Sequence, residues 1–201
     1  MAAQIEPAFD KVFDTQKFYR QMLDSMARPG KLCPLPELDL HPPAGLGACA
    51  AGIAFTLLDS ETSFAVLPDR DDWQEYLRLN TGSAARPVSA AEFIVADGRH
   101  DLPQISEMNR GSLLSPEEGS TLILLIDRLT GDAPGVCLTL RGPGVKDSTA
   151  MAAQGLAPAN LERILRLNEE FPLGVDLFLV DTCGNLAAVP RSSSVDWEVK
   201  A

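Results

Sequence analysis

The sequence contains few of the residues that bind metals, form disulfides or carry covalently attached cofactors. Its 201 residues include four cysteines, two histidines and five lysines. The cysteines form no C-x-x-C pair, and no histidine stands at a ligand-like offset from them, which argues against a zinc site. We interpret them as buried small hydrophobic residues or surface thiols of a reducing compartment: Cys33, Cys49, Cys137 and Cys183.

Long hydrophobic runs and an excess of positive charge are also missing. The longest weakly polar stretch, residues 44–58, is too short and too rich in glycine and alanine to span a bilayer. Residues 1–7 have neither the basic nor the apolar region of a secretory signal, so we expect a cytoplasmic protein. With 17 basic against 28 acidic residues the net charge is -11, which disfavours nucleic acid and anionic membrane surfaces as partners.

The composition is that of an ordinary globular domain. Hydrophobic residues make up 45% of the chain and charged residues 22%. A chain of this length buries about 70% of its unfolded surface on folding, so a sizeable core is available. Because no linker, repeat or low-complexity tract divides the sequence, we predict a single domain over residues 1–201.

Apolar residues at helical spacing predict four helices, over residues 15–27, 46–58, 70–79 and 158–170. For the first helix, Asp14 is the expected N-cap, with Phe13 and Phe18 as a hydrophobic staple across it. The second helix is rich in alanine and glycine, and small side chains let a helix lie close to a sheet or a partner. A further short helix is expected from Asp101 to about Asn109.

Short apolar runs predict strands over residues 63–67, 92–96, 121–126, 136–140, 175–180 and 186–189. We expect strands 121–126 and 136–140 to be sequential neighbours joined by a hairpin-like loop at 131–135, and strand 186–189 to lie antiparallel to strand 175–180. Long helices combined with five or more strands favour an α/β fold, a three-layer domain with a mixed β-sheet.

Two corners that combine arginine with glycine or serine are the candidate contact sites. Arg141-Gly142-Pro143-Gly144 follows a predicted strand, where backbone N–H groups and a guanidinium could meet a phosphate or phosphonate. Pro143 removes one donor and no Gly-Lys-Ser/Thr follows, so a tight turn with a surface arginine is the competing interpretation. Residues 190–194 offer one charge and three hydroxyls, which suit an oxyanion but are also common in ligand-free loops. The candidate anion or partner contacts are Arg28, Arg141, Gly142, Gly144, Arg191, Ser192 and Ser193.

We assign no catalytic residue. His41 and His100 both fall in predicted loops, and the chain has no G-x-S-x-G elbow to supply a nucleophile. Carboxylate clusters at residues 69–72 and 117–118 lie where helix dipoles favour negative charge. The pair Glu169-Glu170 lies instead at a helix end that disfavours it, which favours a partner or ligand role for these two carboxylates.

Five short motifs occur in order along nearly the whole chain: Met26-Ala27-Arg28-Pro29-Gly30, Pro116-Glu117-Glu118-Gly119-Ser120-Thr121-Leu122-Ile123-Leu124, Arg141-Gly142-Pro143-Gly144, Phe171-Pro172-Leu173-Gly174-Val175-Asp176-Leu177 and Pro190-Arg191-Ser192-Ser193-Ser194-Val195. In this order they resemble the PhnH family, a subunit of the bacterial carbon–phosphorus lyase system for organophosphonate catabolism. The resemblance implies a fold similar to the large domain of pyridoxal-phosphate-dependent transferases, without the cofactor.

The resemblance also implies a complex with other Phn subunits, in which alpha-D-ribose 1-methylphosphonate 5-triphosphate is formed from ATP and methylphosphonate. In that setting we expect a non-catalytic subunit that also forms a homodimer and holds no cofactor. The alternative is a stand-alone phosphonate- or nucleotide-binding protein or enzyme that uses the arginine and glycine corners. A third hypothesis, a residual pyridoxal enzyme, depends on Lys146, the lysine next to a glycine-rich corner.

Overall fold

The helices lie close to their predicted positions. The computed structural model describes residues 5–131 and 133–200. Its α-helices are α1 (Phe13–Ala27), α2 (Ala48–Leu57), α3 (Asp71–Thr81) and α4 (Pro158–Leu167). The short helix expected from Asp101 is a 3-10 helix at Pro103–Glu107. Among the described residues, no helix has the length and apolar character needed to cross a bilayer.

A mixed sheet forms the centre of the molecule. Across the described chain the strands are β1 (Cys33–Pro34), β2 (Ser63–Leu67), β3 (Ala84–Ala85), β4 (Phe93–Asp97), β5 (Thr121–Ile126), β6 (Arg128–Thr130), β7 (Gly135–Arg141), β8 (Thr149–Gln154), β9 (Asp176–Asp181), β10 (Asn185–Val189) and β11 (Ser194–Lys200). Seven of them form the central sheet in the order β1-β10-β9-β5-β4-β2-β3. Strands β9, β5, β4, β2 and β3 run parallel to one another. Strand β10 pairs antiparallel with β9, as predicted, and β1 pairs antiparallel with β10.

Both faces of the central sheet are buried, so the fold has three layers. In β5, Leu122 and Leu124 belong to one hydrophobic cluster, while Ile123 and Leu125 belong to the other. This alternation follows from the two-residue period of a strand. Helices α1, α2 and α3 cover one face. Helix α4 and a second, antiparallel sheet of order β11-β7-β8-β6 cover the other.

The predicted hairpin between the strands at 121–126 and 136–140 is wrong. These strands are β5 and β7, and they lie in different sheets. The chain leaves the central sheet after β5 and enters the second sheet with β6, which pairs with β8. Strand β7 then pairs with β8 and β11 in the same sheet. Strands β6 and β8 were not predicted, because β6 is short and β8 consists mostly of small residues. Strand β11 was also not predicted, although Val195, Trp197 and Val199 alternate with polar residues, a pattern typical of a strand. Asp132, within the expected loop, and residues 1–4, within the segment tested for a secretory signal, lie outside the described residues.

The predicted cap of α1 is also wrong. The helix starts at Phe13, two residues earlier than an Asp14 N-cap requires, and its N-cap is Val12. The carboxylate of Asp10 instead accepts hydrogen bonds from the backbone N–H groups of Val12 (2.8 Å) and Phe13 (2.9 Å). Phe13 is 66% exposed while Phe18 is buried, so the two do not form a staple.

Candidate functional site

A cavity lies at the carboxyl edge of the central sheet, the edge where open α/β sheets bind ligands. The parallel strands β4, β5 and β9 all end there, and α2 begins beside them. The cavity holds about 130 Å³, and it is lined by Gly45, Leu46, Gly47, Ala48, Cys49, Ala50, Arg99, Leu125, Ile126, Val180, Asp181 and Thr182. None of the predicted site residues lies in this lining.

The charged groups at this edge are already paired with one another. The Arg99 guanidinium donates to Asp97 through Nε to Oδ1 (2.7 Å) and Nη2 to Oδ2 (2.8 Å), and its Nη1 lies 3.7 Å from Asp127 Oδ1. Burial alone would raise the pKa of Asp97, but the hydrogen bonds from Arg99 outweigh burial and hold that pKa below its usual value. Arg99 is therefore balanced by carboxylates, so this edge offers no excess positive charge to an anion.

The remaining polar groups of the cavity also have structural roles. Asp181 Oδ1 accepts from the backbone N–H groups of Cys183 (2.9 Å) and Asn185 (2.8 Å), and Oδ2 accepts from that of Leu129 (2.9 Å). Burial, together with the nearby negative charge of Asp181, raises the pKa of the Cys49 thiol. Because the thiolate is the nucleophilic form of cysteine, this shift makes Cys49 a poor nucleophile at neutral pH.

Sequence reasoning missed this edge although a signal was present. Asp97 ends β4, Asp127 follows β5 and Asp181 ends β9, so an acidic residue stands at the carboxyl end of three apolar runs. Only the parallel alignment of those runs brings the acids to one edge.

Arg191, one of the predicted contacts, joins its own loop to the first residue of β9 and to the segment at residues 116–119. Its Nε (3.1 Å) and Nη2 (2.7 Å) donate to Asp176 Oδ2, and its backbone N–H donates to Asp176 Oδ1 (2.8 Å). Its Nη1 donates to the carbonyl oxygen of Pro116 (2.7 Å), and Nη2 also reaches that of Gly119 (3.3 Å). Each guanidinium nitrogen therefore has a partner within the protein.

The corner with two glycines packs against two other motifs. A Cβ atom on Gly144 would overlap the carbonyl oxygen of Ala27 and approach Pro29, and a Cβ atom on Gly142 would lie 3.1 Å from the carbonyl oxygen of Ser192. Both glycines have positive φ (132° at Gly142 and 82° at Gly144), which other residues rarely adopt. The glycines thus allow close packing of the chain on itself.

The other predicted contacts are dispersed. Arg141 forms an ion pair with Asp196 on the neighbouring strand β11, and Arg28 forms one with Asp24 one turn earlier in α1. Arg141 and Arg191 thus pair with different carboxylates. The hydroxyl of Ser193 is buried and has no hydrogen-bond partner among the described residues.

The remaining candidates for chemistry lie at the surface. His41 and His100 have side chains that are each 65% exposed. Lys146 is exposed and lies outside the cavity lining. Within residues 5–131 and 133–200, no three His, Cys, Asp or Glu side chains are grouped so that they could hold a metal ion.

Comparison with known proteins assigns the chain to a family. The sequence model described as bacterial phosphonate metabolism protein (PhnH) matches residues 7–196. The chain belongs to the PhnH family. It is 28% identical over 192 residues to a Rhizobium meliloti (strain 1021) protein named alpha-D-ribose 1-methylphosphonate 5-triphosphate synthase subunit PhnH, covering 94% of each chain.

A second relative is also named as a subunit protein. The chain is 31% identical over 181 residues to HtxG of Stutzerimonas stutzeri, named as a candidate C-P lyase subunit protein, covering 90% of this chain and 85% of that one. The matched range for the PhnH family includes all five ordered motifs. In this PhnH family member the motifs at residues 116–124, 171–177 and 190–195 meet at Arg191.

Proposed function

We propose that this protein is a subunit of a bacterial carbon–phosphorus lyase system, in the assembly that forms alpha-D-ribose 1-methylphosphonate 5-triphosphate from ATP and methylphosphonate. The observation that carries the proposal is family membership over residues 7–196, with two relatives named as subunits of such systems. Both relatives match over most of their own length, so the similarity is not limited to a shared fragment.

Within the assembly we propose that the chain is non-catalytic. The groups gathered at the carboxyl edge are engaged in internal hydrogen bonds, and the Cys49 thiol there has a raised pKa. Arg191 joins loops to one another. These contacts support a role in assembly, with chemistry carried by other subunits.

The finer expectations follow from the same proposal. The partners would be the other Phn subunits and a second copy of this chain, and the location would be the cytoplasm. The net charge of -11 supports protein partners over nucleic acid. The mixed seven-stranded sheet with helices on one face is compatible with a fold similar to the large domain of pyridoxal-phosphate-dependent transferases.

We propose that the chain binds no pyridoxal phosphate. A Schiff base needs a lysine held within a pocket. No lysine lines the cavity at the carboxyl edge, and Lys146 lies in an exposed turn. The residues at this edge therefore do not fit that cofactor.

The alternative, a stand-alone anion-binding protein that uses Arg141, Gly142, Gly144 and Arg191, has less support. Arg191 donates from every guanidinium nitrogen to protein acceptors, and the two glycines pack against neighbouring backbone. Calorimetry of the isolated chain with methylphosphonate and with ATP tests it. Saturable heat that is lost in Arg141→Ala would favour the alternative.

The test of the main proposal uses the complete system from the source organism. A tagged copy of this chain is produced together with the remaining subunits, and the purified material is assayed for captured subunits and for conversion of methylphosphonate with ATP. We expect capture in fixed ratio and loss of conversion when this chain is omitted. Assembly and conversion that proceed equally well without the chain would sink the proposal.

A further inference from the structure

Two leucines at the tip of one loop are the most exposed large apolar side chains among the described residues. Leu113 is 77% exposed and Leu114 is 96% exposed. The residues on either side, Ser112 and Ser115, exchange backbone hydrogen bonds of 3.1 Å in both directions, which closes a tight turn. The leucines therefore occupy its two central positions and project into solvent.

The base of this loop is fixed by hydrogen bonds. Asn109 Nδ2 donates to the carbonyl oxygen of Glu118 (2.9 Å), Asn109 Oδ1 accepts from Gly111 N–H (3.0 Å), and Arg191 Nη1 donates to the carbonyl oxygen of Pro116 (2.7 Å). A loop held in this way loses little conformational entropy when its tip is bound. The leucines are thus presented by a pre-organised turn.

A third exposed apolar residue belongs to the adjoining loop. Phe171 is 66% exposed. The two loops are joined at Arg110, whose carbonyl oxygen accepts from Gly174 N–H (2.9 Å) and whose Nη2 donates to Glu170 Oε2 (3.0 Å). We name these three exposed side chains on the two joined loops, Leu113, Leu114 and Phe171, the apolar tip.

Acidic side chains flank the apolar tip on both loops. The side chains that follow the leucines, Glu117 and Glu118, and the pair that precedes Phe171, Glu169-Glu170, are all exposed. An open groove of about 320 Å³ beside the loop is lined by Glu92, Glu117 and Glu118 together with Phe93, Asn109, Gly119 and Thr121, and this lining contains no cation. The nearby Arg110 already pairs with Glu170.

We propose that the apolar tip is the docking site for a different subunit of the assembly, one that presents an apolar pocket bordered by lysine or arginine. This inference rests on the proposed function. An apolar centre with a complementary charged rim is the usual anatomy of a specific protein interface. The helix dipole disfavours negative charge at the position of Glu169-Glu170. In this proposal, these two carboxylates contact the basic border of the partner.

Charge argues against two other occupants. A second copy docked through the same patch about a two-fold axis would place like-charged acidic rims face to face. An anionic membrane surface would repel the rim in the same way. A partner with a basic border is attracted by the same carboxylates that repel a second copy of this chain and an anionic membrane.

The test combines a double variant at the tip with a matched control on α1. Leu113→Ser/Leu114→Ser is co-produced with the remaining subunits, and the amount of each captured subunit is compared with the wild type. We expect at least one subunit to be captured at least 10-fold less. The control is Tyr19→Ser/Leu23→Ser, which removes two exposed apolar side chains elsewhere (49% and 51% exposed) and should capture normally. Far-UV circular dichroism and thermal melts of each variant verify that the fold is unchanged.

A charge-reversal variant tests the acidic rim separately. Glu117→Lys/Glu118→Lys should reduce capture of the same subunit, while Glu117→Gln/Glu118→Gln should reduce it less, and the wild-type affinity should fall as salt is raised. Undiminished capture by both the tip and the charge-reversal variants overturns the inference. Loss of capture in the α1 control alone also overturns the inference. The same holds if the tip variant captures every subunit normally and only turns a dimer of this chain into monomers. If the wild-type chain captures no subunit at all, the proposed function itself fails.

Discussion

Around Arg191, a single side chain joins segments that lie far apart in the sequence. The guanidinium is 14% exposed and its main partner, the carboxylate of Asp176, is 20% exposed. In a largely buried pair, removing one partner leaves the other charge without compensation, whereas an exposed pair has little net effect. The ion pair between Arg141 and Asp196 is the exposed one for comparison, because the two side chains are 53% and 71% exposed.

We expect Arg191→Ala to lower the free energy of unfolding by about 2–4 kcal/mol, because it leaves Asp176 unpaired and frees the carbonyl oxygens of Pro116 and Gly119. Arg191→Lys should restore only part of the loss, since an ammonium cannot reproduce the planar fork. Arg141→Ala is the control and should cost about 0–1 kcal/mol. Urea unfolding of the three variants measures these differences. Equal losses of unfolding free energy for Arg191→Ala and Arg141→Ala would contradict the structural role of Arg191.

The Asp97 carboxylate gives a prediction about acid stability. Its pKa in the folded state lies below the unfolded value of about 3.9, so its contribution is fully present above that value and is lost as the pH falls through the folded pKa. We expect Asp97→Asn to be less stable than the wild type at pH 7, with the difference shrinking below about pH 4.

The measurement is urea unfolding of wild type and Asp97→Asn at several pH values between 7 and 3. Asp39→Asn is the control, because its side chain is 89% exposed and should contribute little to stability. A difference for Asp97→Asn that stays constant down to pH 3 would show that the Arg99 pairing does not control it.

At the level of elements, the short side chains of α2 set how closely the helices pack. Residues 50–54 of α2 are all buried. A Cβ atom on Gly52 would lie 2.7 Å from Cε1 and Cζ of Phe18 on α1 and 2.8 Å from Leu38 Cδ1. The small residues that predicted close packing of this helix thus bring it directly against α1.

We expect Gly52→Val to destabilise the protein by about 1–3 kcal/mol, because the added methyl groups overlap the buried ring of Phe18. This cost outweighs the gain from replacing glycine within a helix. Ala48→Val on the same helix is the control, since Ala48 lines the open cavity. Urea denaturation compares the two, and a Gly52→Val protein at least as stable as Ala48→Val would show that α1 and α2 are less tightly packed.

At the scale of the whole molecule, one sheet is shared by two cores. Trp73 is buried in the core between the central sheet and helices α1, α2 and α3. Trp197, on β11 of the second sheet, packs against the core on the opposite face. Because every long strand of the central sheet contributes side chains to both cores, neither core can be lost while the other keeps its full set of contacts.

This arrangement predicts that residues 1–201 unfold as one cooperative unit. The chain has two tryptophans, so Trp197→Phe reports fluorescence from the helical side and Trp73→Phe from the side of the second sheet. In each variant, the denaturant midpoint by tryptophan fluorescence should coincide with that by far-UV circular dichroism. A tryptophan transition that clearly precedes the circular dichroism transition in either variant would indicate two separately folding units.

Local patterns determined most of the elements. Strands β2 and β5 have the predicted bounds, and α3 stops where Gly82 takes up a left-handed conformation with φ 77°. Apolar periodicity and glycine or proline stops are properties of neighbouring residues, so the sequence alone reveals them. The ordered motifs likewise pointed to the family before any contact was known.

Only the tertiary structure determined which strands pair and which side chains come into contact. The pairing of β7 with β8 and β11 joins strands that are separate in the sequence, and their hydrogen bonds form only with a partner. The acidic edge at Asp97 and Asp181 likewise requires three strands to be parallel. Arg191 could be read from the sequence as an anion contact, but only the fold brings Asp176 within reach of it. Long-range contacts decide such roles, and local periodicity contains no information about them.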